Sequence, residues 1–391
     1  MKLNTAEDFT TLVNKIQSKE HFKKPIGFGI ARLDKGQVDP NKVLQANYAF
    51  VNWNENFGSA ALFLDALEKS GETVDYNQTE QILNINNTFL TLCLDAFNPF
   101  IKEANGDKHK NIQVIKQLTK LPDLTNFKAV FIFKDEAPQT VETVYLKLYS
   151  LSLGKAPIRS LNLNGAFGIL QNVAWVGNKP LELDYLRANE IELKLTGNYP
   201  QIDMVDKFPR FLQHIIPANN TRILDASKVR FGAQLGAGTT VMPGASYINF
   251  NAGTTGPVMV EGRISSSAIV GEGSDIGGGA SILGVLSGTD GNPISIGKNT
   301  LLGANSVTGI PLGDGCIVDA GVSILAGTKL FIETTEINKI NEVNDKKITT
   351  NLIKAKEISG FNGIHFRVDS TNGKIVAKRS TREVKLNTEL H

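Results

Sequence analysis

Cysteine and histidine are scarce in this chain. Its 391 residues hold two cysteines, Cys93 and Cys316, and five histidines. Two cysteines so far apart offer neither a disulfide framework nor the paired spacing of a structural zinc site. An excess of one charge is also missing. Lys plus Arg number 41 and Asp plus Glu 39, and the net charge of +2 leaves no electrostatic footprint for nucleic acid or an anionic membrane surface. No apolar run reaches membrane length and no leader-like segment stands out. The expectation is a soluble cytoplasmic protein with neither nucleic acid nor membrane as a partner. Aromatic residues make up only 7%, whereas glycine numbers 36 and is crowded between residues 232 and 327. That crowding calls for a search for repeats.

A period of six runs through the glycine-rich region. Aliphatic residues return at Ile223, Val229, Leu235 and Val241, with Tyr247 in phase. After a slip they return at Val258, Ile264, Val270, Ile276 and Ile282, then at Ile296 and Leu302, and finally at Leu312, Val318, Ile324 and Leu330. Hexapeptide periodicity predicts a parallel β-helix, in which each short strand sends one aliphatic side chain inward and small residues turn the corners. An amphipathic helix would need returns at three and four residues. Two interruptions, "GVLSGTDGNPIS" (284–295) and "NSVTGIPLGDG" (305–315), predict loops that leave the prism.

Around the repeat the chain reads as three parts: a mixed α/β domain over 1–220, the β-helix over 221–331, and a C-terminal extension over 332–391. In the first part a helix is expected from Thr5 to Ser18 and another over 61–71, ended by Gly71. Strands are expected at 25–33, 88–97, 128–133, 143–153 and 189–195, and 205–220 reads as a short helix and connector. In the extension, "GIHFRVDSTNGKIVAKR" predicts a hairpin with a type I′ turn at Asn372-Gly373, placed to cap the last coil.

Hexapeptide β-helices mostly host acyltransferases, many with a histidine base on the coil. Here His21, His109, His214, His365 and His391 all lie outside 223–330, which excludes a coil-borne histidine base and a coil-borne zinc site in sequence terms. Chemistry on the coil falls to a carboxylate: Asp225, Glu261, Glu272, Asp275, Asp314 or Asp319. Glu272, Asp275 and Asp314 sit in corner sequences, where a carboxylate ordinarily accepts turn hydrogen bonds. Glu261 precedes Arg263 by two residues, which puts both on one face if the strand is extended. Two readings of Glu261 stand on that basis, a structural ion pair and a catalytic group.

Longer segments discriminate further. "NFNAGT", "VEGRIS", "GSDIGGGASI", "ISIGKNTLLGANS" and "KAKEISGFNGIHFR" closely resemble the 2,3,4,5-tetrahydropyridine-2,6-dicarboxylate N-succinyltransferases, over roughly residues 205 to 391. The N-terminal part, with "LNLNGAFGILQNVAW", resembles their larger-chain branch. The resemblance implies a left-handed β-helix, a homotrimer, and succinyl-CoA as donor to the amino group of opened tetrahydrodipicolinate, L-2-amino-6-oxopimelate. It matches the family's acyl-accepting or base-like glutamate to Glu261. Along the succinyl-CoA groove it places Arg263, Gly278, Ser281, Ala304, Asp319, Ala320 and Gly327, with Lys354 and the run Arg367, Val368, Asp369, Ser370 from the extension. The family has Glu where this chain has Asp319. Some larger-chain members hold a magnesium ion at positions that match Lys228 and Ala245; neither is a ligand, so no metal is expected there. Other readings remain at this point: a different CoA-dependent N-acyltransferase, acetyl-CoA being the nearest donor, or a non-catalytic scaffold.

Overall fold

The computed structural model describes residues 2–285, 289 and 291–386. They form two compact units. One comprises the chain up to Ser150 together with Ser160–Pro209, and the other comprises Leu151–Arg159 together with the chain from Arg210 onward.

In the first unit an antiparallel sheet runs in the order Val43–Trp53, Gly27–Lys35, Phe127–Ile132, Glu80–Asn84. Phe28 and Phe131 stack on its face against Phe63, Phe89 and Phe97. The first helix, Ala6–Gln17, begins where the sequence predicts. Thr5 accepts from the Asp8 amide at 3.1 Å and Asp8 accepts from the Thr5 amide at 3.0 Å, a reciprocal cap. Phe57–Lys69 is the second helix, with Gly71 at positive φ beyond its end.

Three expected strands are helices. Asn87–Phe97 is a helix whose Asn86 side chain caps the Phe89 amide. Val141–Ser152 is a helix buried at nearly every position, so it shows no polar face by which a 3.6-residue period could be recognised. Glu190–Leu195 alternates charged and aliphatic residues like a half-buried strand, yet it is a short helix that leaves Ile191 and Leu195 exposed. The 205–220 segment holds a strand, Met204–Asp206, and one 3-10 turn, Phe211–Gln213.

The second unit is built on two-residue strands that pair in parallel and fall on three walls. The first wall stacks Arg222–Ile223, Thr240–Val241, Met259–Val260, Asp275–Ile276, Leu301–Leu302 and Ile317–Val318. Tyr247–Ile248, Arg263–Ile264, Ser281–Ile282, Val307–Thr308 and Ser323–Ile324 form the second. The third contains Gly253–Thr254, Ile269–Val270 and Ser295–Ile296. The chain visits the walls in that order, as a parallel β-helix does. The second residue of each pair points inward and is buried, so the period of six is a core period.

The register corrects the sequence phase at three places. Ile248, fully buried, takes the inward position expected for Tyr247. Val260 rather than Val258 pairs with Val241 and Ile276. Residues 305–315 make no excursion, because Thr308 fills an inward position and satisfies its hydroxyl on the Ile310 carbonyl at 2.8 Å. Thr254 does the same on the third wall with Thr239, at 2.7 Å. A hydroxyl at an inward position is invisible to a search for aliphatic returns. The 284–295 interruption does separate two strands, and residues 286–288 and 290 lie outside the described residues.

Beyond Leu330 the extension holds a helix, Thr334–Glu342, which the sequence reading missed, and a strand, Leu352–Lys354, antiparallel to Lys329–Phe331. The expected hairpin joins Ile364–Val368 to Ile375–Arg379. Its turn is not type I′. Only Gly373 has positive φ, and Asp369 closes a longer loop by donating its amide to the Lys374 carbonyl at 2.9 Å. The hairpin caps the coil by adding Ile364–Val368 to the first wall, with His365 opposite Ile317.

Candidate active site

The passage from the first wall to the second is made by a column of stacked corners. From bottom to top the column contains Glu261–Gly262, Gly277–Ala280, Gly303–Ser306 and Asp319–Val322, each lying between a strand of one wall and a strand of the next. Backbone hydrogen bonds join the levels: Gly279 donates to Glu261 at 3.3 Å, Asn305 to Gly278 at 2.9 Å, and Gly321 to Ala304 at 2.9 Å. The spacing of stacked strands puts the top corner about 14 Å above Glu261. Small residues are obligatory for stacking at some levels. A Cβ on Gly262 would stand 2.3 Å from the Ala280 carbonyl oxygen. Gly278 differs: a Cβ there would meet nothing within 4 Å except the Glu261 carboxylate, at 3.6 Å.

Glu261 occupies the shortest corner of the column, two residues where the corners above have four. That turn separates it from Arg263, so the two are not on one face of a strand, contrary to the sequence reading. Glu261 follows the first-wall strand Met259–Val260, whereas Arg263 begins the second-wall strand Arg263–Ile264. Arg263 donates Nε and Nη2 to Ser281 Oγ, at 3.1 and 2.7 Å, one rung up on its own wall. The ion-pair reading falls with that geometry. Glu261 itself is half-buried, and among the described residues its carboxylate accepts no hydrogen bond and joins no ion pair.

Other carboxylates of the coil are engaged. Asp225 accepts from the Ser227 amide and hydroxyl, which hold its carboxyl below the usual range. Glu272 pairs with Lys298 Nζ at 2.7 Å and Asp314 accepts from the Lys298 amide at 2.7 Å. Asp319, at the top corner, lies 2.6 Å from His365 Nε2 and 3.8 Å from Arg367 Nε.

His365 is the residue sequence reasoning missed. It lies far past the repeat in the chain, but the hairpin seats it as the next rung of the first wall. Four rungs separate it from Met259–Val260, about 19 Å, too far to share a proton with Glu261. Arg159 was missed as well. From the Leu151–Arg159 segment it donates its amide to Asn251 Oδ1 at 2.8 Å. Its guanidinium donates to Ser295 Oγ at 3.0 Å and to the Ser267 and Ile294 carbonyls, and burial holds it below its ordinary pKa. No motif signals Arg159, and the segments "KAKEISGFNGIHFR" and "GIHFRVDSTNGKIVAKR" contain His365 without marking it as a site residue.

The expected groove residues fall into three places. Gly278, Ala304, Asp319 and Ala320 share the corner column with Glu261, and Arg263 and Ser281 flank it on the second wall. Arg367, Val368, Asp369 and Ser370 lie where the added strand runs past Asp319 into the hairpin loop. Gly327 and Lys354 are apart from the column. Gly327 follows Ile324 at the next corner, from which Thr328 leads to Lys329, the partner of Lys354. Among the described residues no three His, Cys, Asp or Glu side chains gather as a metal site. Lys228 donates Nζ to the Gly244 carbonyl at 2.7 Å, next to Ala245.

Comparisons with known proteins agree with this architecture. Family models described as tetrahydrodipicolinate N-succinyltransferase N-terminal and middle match residues 7–168 and 170–210, and a hexapeptide repeat of succinyl-transferase matches 293–326. A protein of Sulfurovum sp. (strain NBC37-1) named 2,3,4,5-tetrahydropyridine-2,6-dicarboxylate N-succinyltransferase is 64% identical over 99% of this chain and 98% of its own. A Campylobacter jejuni protein of the same name is 56% identical over the full length of both. A solved Campylobacter jejuni structure, described as a putative 2,3,4,5-tetrahydropyridine-2-carboxylate N-succinyltransferase, superposes with a TM-score of 0.92 at 55% identity. It covers 98% of this chain and 100% of that one.

Proposed function

The chain belongs to the tetrahydrodipicolinate N-succinyltransferase family, and from that premise we propose how its geometry carries out succinyl transfer. The donor is succinyl-CoA and the acceptor is the amino group of L-2-amino-6-oxopimelate, in the succinylase branch of lysine and diaminopimelate synthesis. One observation carries the assignment of the reacting group: the unpartnered Glu261 carboxylate at the foot of a column of small corners.

The chemistry needs little else from the coil. As the amine attacks the thioester carbonyl it must lose a proton, and the coil sequence holds no histidine near enough to take it. Glu261 takes that proton as the tetrahedral intermediate collapses, the C–S bond breaks and CoA leaves as a thiolate. In the alternative two-step course the carboxylate itself attacks, a mixed anhydride forms with loss of the thiolate, and the amine then opens it. Both courses use the same carboxylate.

The column suits an extended pantetheine arm, since Gly278, Ala304 and Ala320 leave room and backbone polar groups at the surface. Arg367 and Lys354 supply cations for the phosphates. The helix is taken to be left-handed and the assembly a closed trimer, as in the family to which the chain belongs. Turnover measured with succinyl-CoA, with acetyl-CoA and with no donor tests the assignment. Succinyl-CoA is expected to be used in strong preference. Equal use of acetyl-CoA would contradict the donor, and no turnover with either would leave only a scaffold.

A further inference from the structure

The first unit holds a cleft of about 320 Å³ that the proposed succinyl transfer leaves unused. It is lined by Phe9, Phe50, Phe97 and Phe100 and by the first residues of two helices, Phe57–Lys69 and Lys110–Leu118. Phe9 stacks on Phe97 with ring centroids 5.7 Å apart and meets Phe100 edge-on at 5.3 Å, so the apolar part is preformed. A polar account of the same wall leaves a donor over. Asn52 is fully buried and spends its whole amide: its hydrogens go to the Phe28 carbonyl at 3.3 Å and Asn111 Oδ1 at 3.0 Å, and its oxygen accepts from Asn111 and Asn56. Asn111, only 7% exposed, spends one of its two amide hydrogens, on Asn52 at 3.1 Å. The other has no partner among the described residues, and Asn111 lines the cleft. The helix starts add to this. Neither the Asn56 nor the His109 side chain caps the helix it precedes, Asn56 donating instead to Asn52 at 2.8 Å. The amides of Phe57, Gly58, Ser59, Lys110 and Asn111 therefore meet no acceptor among the described residues, and the Ser59 hydroxyl has no partner there either.

We propose that this cleft binds a small monocarboxylate with an apolar body. The carboxylate oxygens accept from Asn111 Nδ2, the Ser59 hydroxyl and the free amides of the helix starts, where the helix dipole favours negative charge. The body packs on Phe9 and Phe100. Charge at the rim limits the ligand to a single negative charge. Lys110 is already paired with Asp107 at 3.2 Å, His109 lies 3.8 Å from Glu103, and Glu55 lines the cleft as well, so a multiply charged anion such as phosphate is disfavoured. The site goes beyond succinyl transfer and stands whether or not the donor reading does.

Calorimetry on the full-length protein tests it with three probes: phenylacetate, acetate, which lacks the apolar body, and phenylacetamide, which lacks the charge. Phenylacetate is expected to bind at least about tenfold tighter than either of the others. Ser59→Asp sets a carboxylate where that of the ligand would lie. An acidic residue in a first turn favours the helix, so Tm should hold while phenylacetate binding is lost. Ser59→Ala removes only the hydroxyl and should weaken phenylacetate at least about threefold. No binding of phenylacetate, equal binding of phenylacetamide or acetate, or binding that survives Ser59→Asp would each overturn the site. If Ser59→Asp lowers Tm, Ser59→Ala decides: weaker phenylacetate binding upholds the site and an unchanged affinity overturns it.

Discussion

Glu261 owes its accessibility to the two residues its corner lacks. A four-residue corner, like those above it, would add two residues beside the carboxylate; the two-residue turn after Met259–Val260 leaves it beneath Gly278. A half-buried carboxylate with no hydrogen bond among the described residues leaves its oxygens open to accept a proton or to attack an acyl carbon, whereas Glu272 and Asp319 are engaged by Lys298 and His365. Glu261→Gln retains shape but loses both properties. It is expected to lower kcat by at least about 100-fold with succinyl-CoA binding nearly unchanged, as read by steady-state kinetics and calorimetry. Near-normal turnover would remove Glu261 from the chemistry. In the native protein, quenching before acceptor is added and finding succinyl on Glu261 would select the mixed-anhydride course over the proton-acceptor one. This residue was legible in the sequence as a type and a position, by elimination of histidine and by resemblance. Its isolation from Arg263 was not, because spacing alone does not reveal that a corner falls between positions two apart.

At the scale of elements, the column distinguishes glycines that let coils stack from a glycine that leaves room. Gly262 can take no Cβ without displacing the Ala280 carbonyl, so Gly262→Ala should cost about 1–3 kcal/mol and lower Tm. A Cβ at Gly278 meets no backbone within 4 Å, so Gly278→Leu should leave Tm near that of the parent while it fills the space above Glu261 and abolishes succinyl-CoA turnover. A common loss of stability in both would refute the distinction. The repeat was the most legible element, since its period is the period of the core. Where the period faltered, Thr254 and Thr308 had replaced aliphatic inward residues and satisfied their hydroxyls internally. The helices Asn87–Phe97 and Val141–Ser152 escaped because apolar residues on many sides hide a helical period, and Glu190–Leu195 because alternation is not unique to strands. The hairpin was legible, but its register was not, and the register is what brings His365 to the wall.

Over the whole molecule, the account places one end of a long donor at Glu261 and the other on the C-terminal sheet, with the corner column between. On the proposed reading, segments distant in sequence serve one ligand: the repeat would supply the reacting carboxylate and the small corners, and the extension the cations. Sequence resemblance could name members of that set, but only the parallel pairing of Ile364–Val368 with the first wall shows how the extension meets the coil. The most direct test is a crystal structure of the Glu261→Gln variant with succinyl-CoA. The account predicts three chains about a threefold axis, the thioester carbonyl carbon within about 3.5 Å of the residue 261 side chain, the pantetheine arm along Gly278, Ala304 and Ala320, and the phosphates at Arg367. A donor lying along another corner, with its thioester out of reach of residue 261, would contradict it.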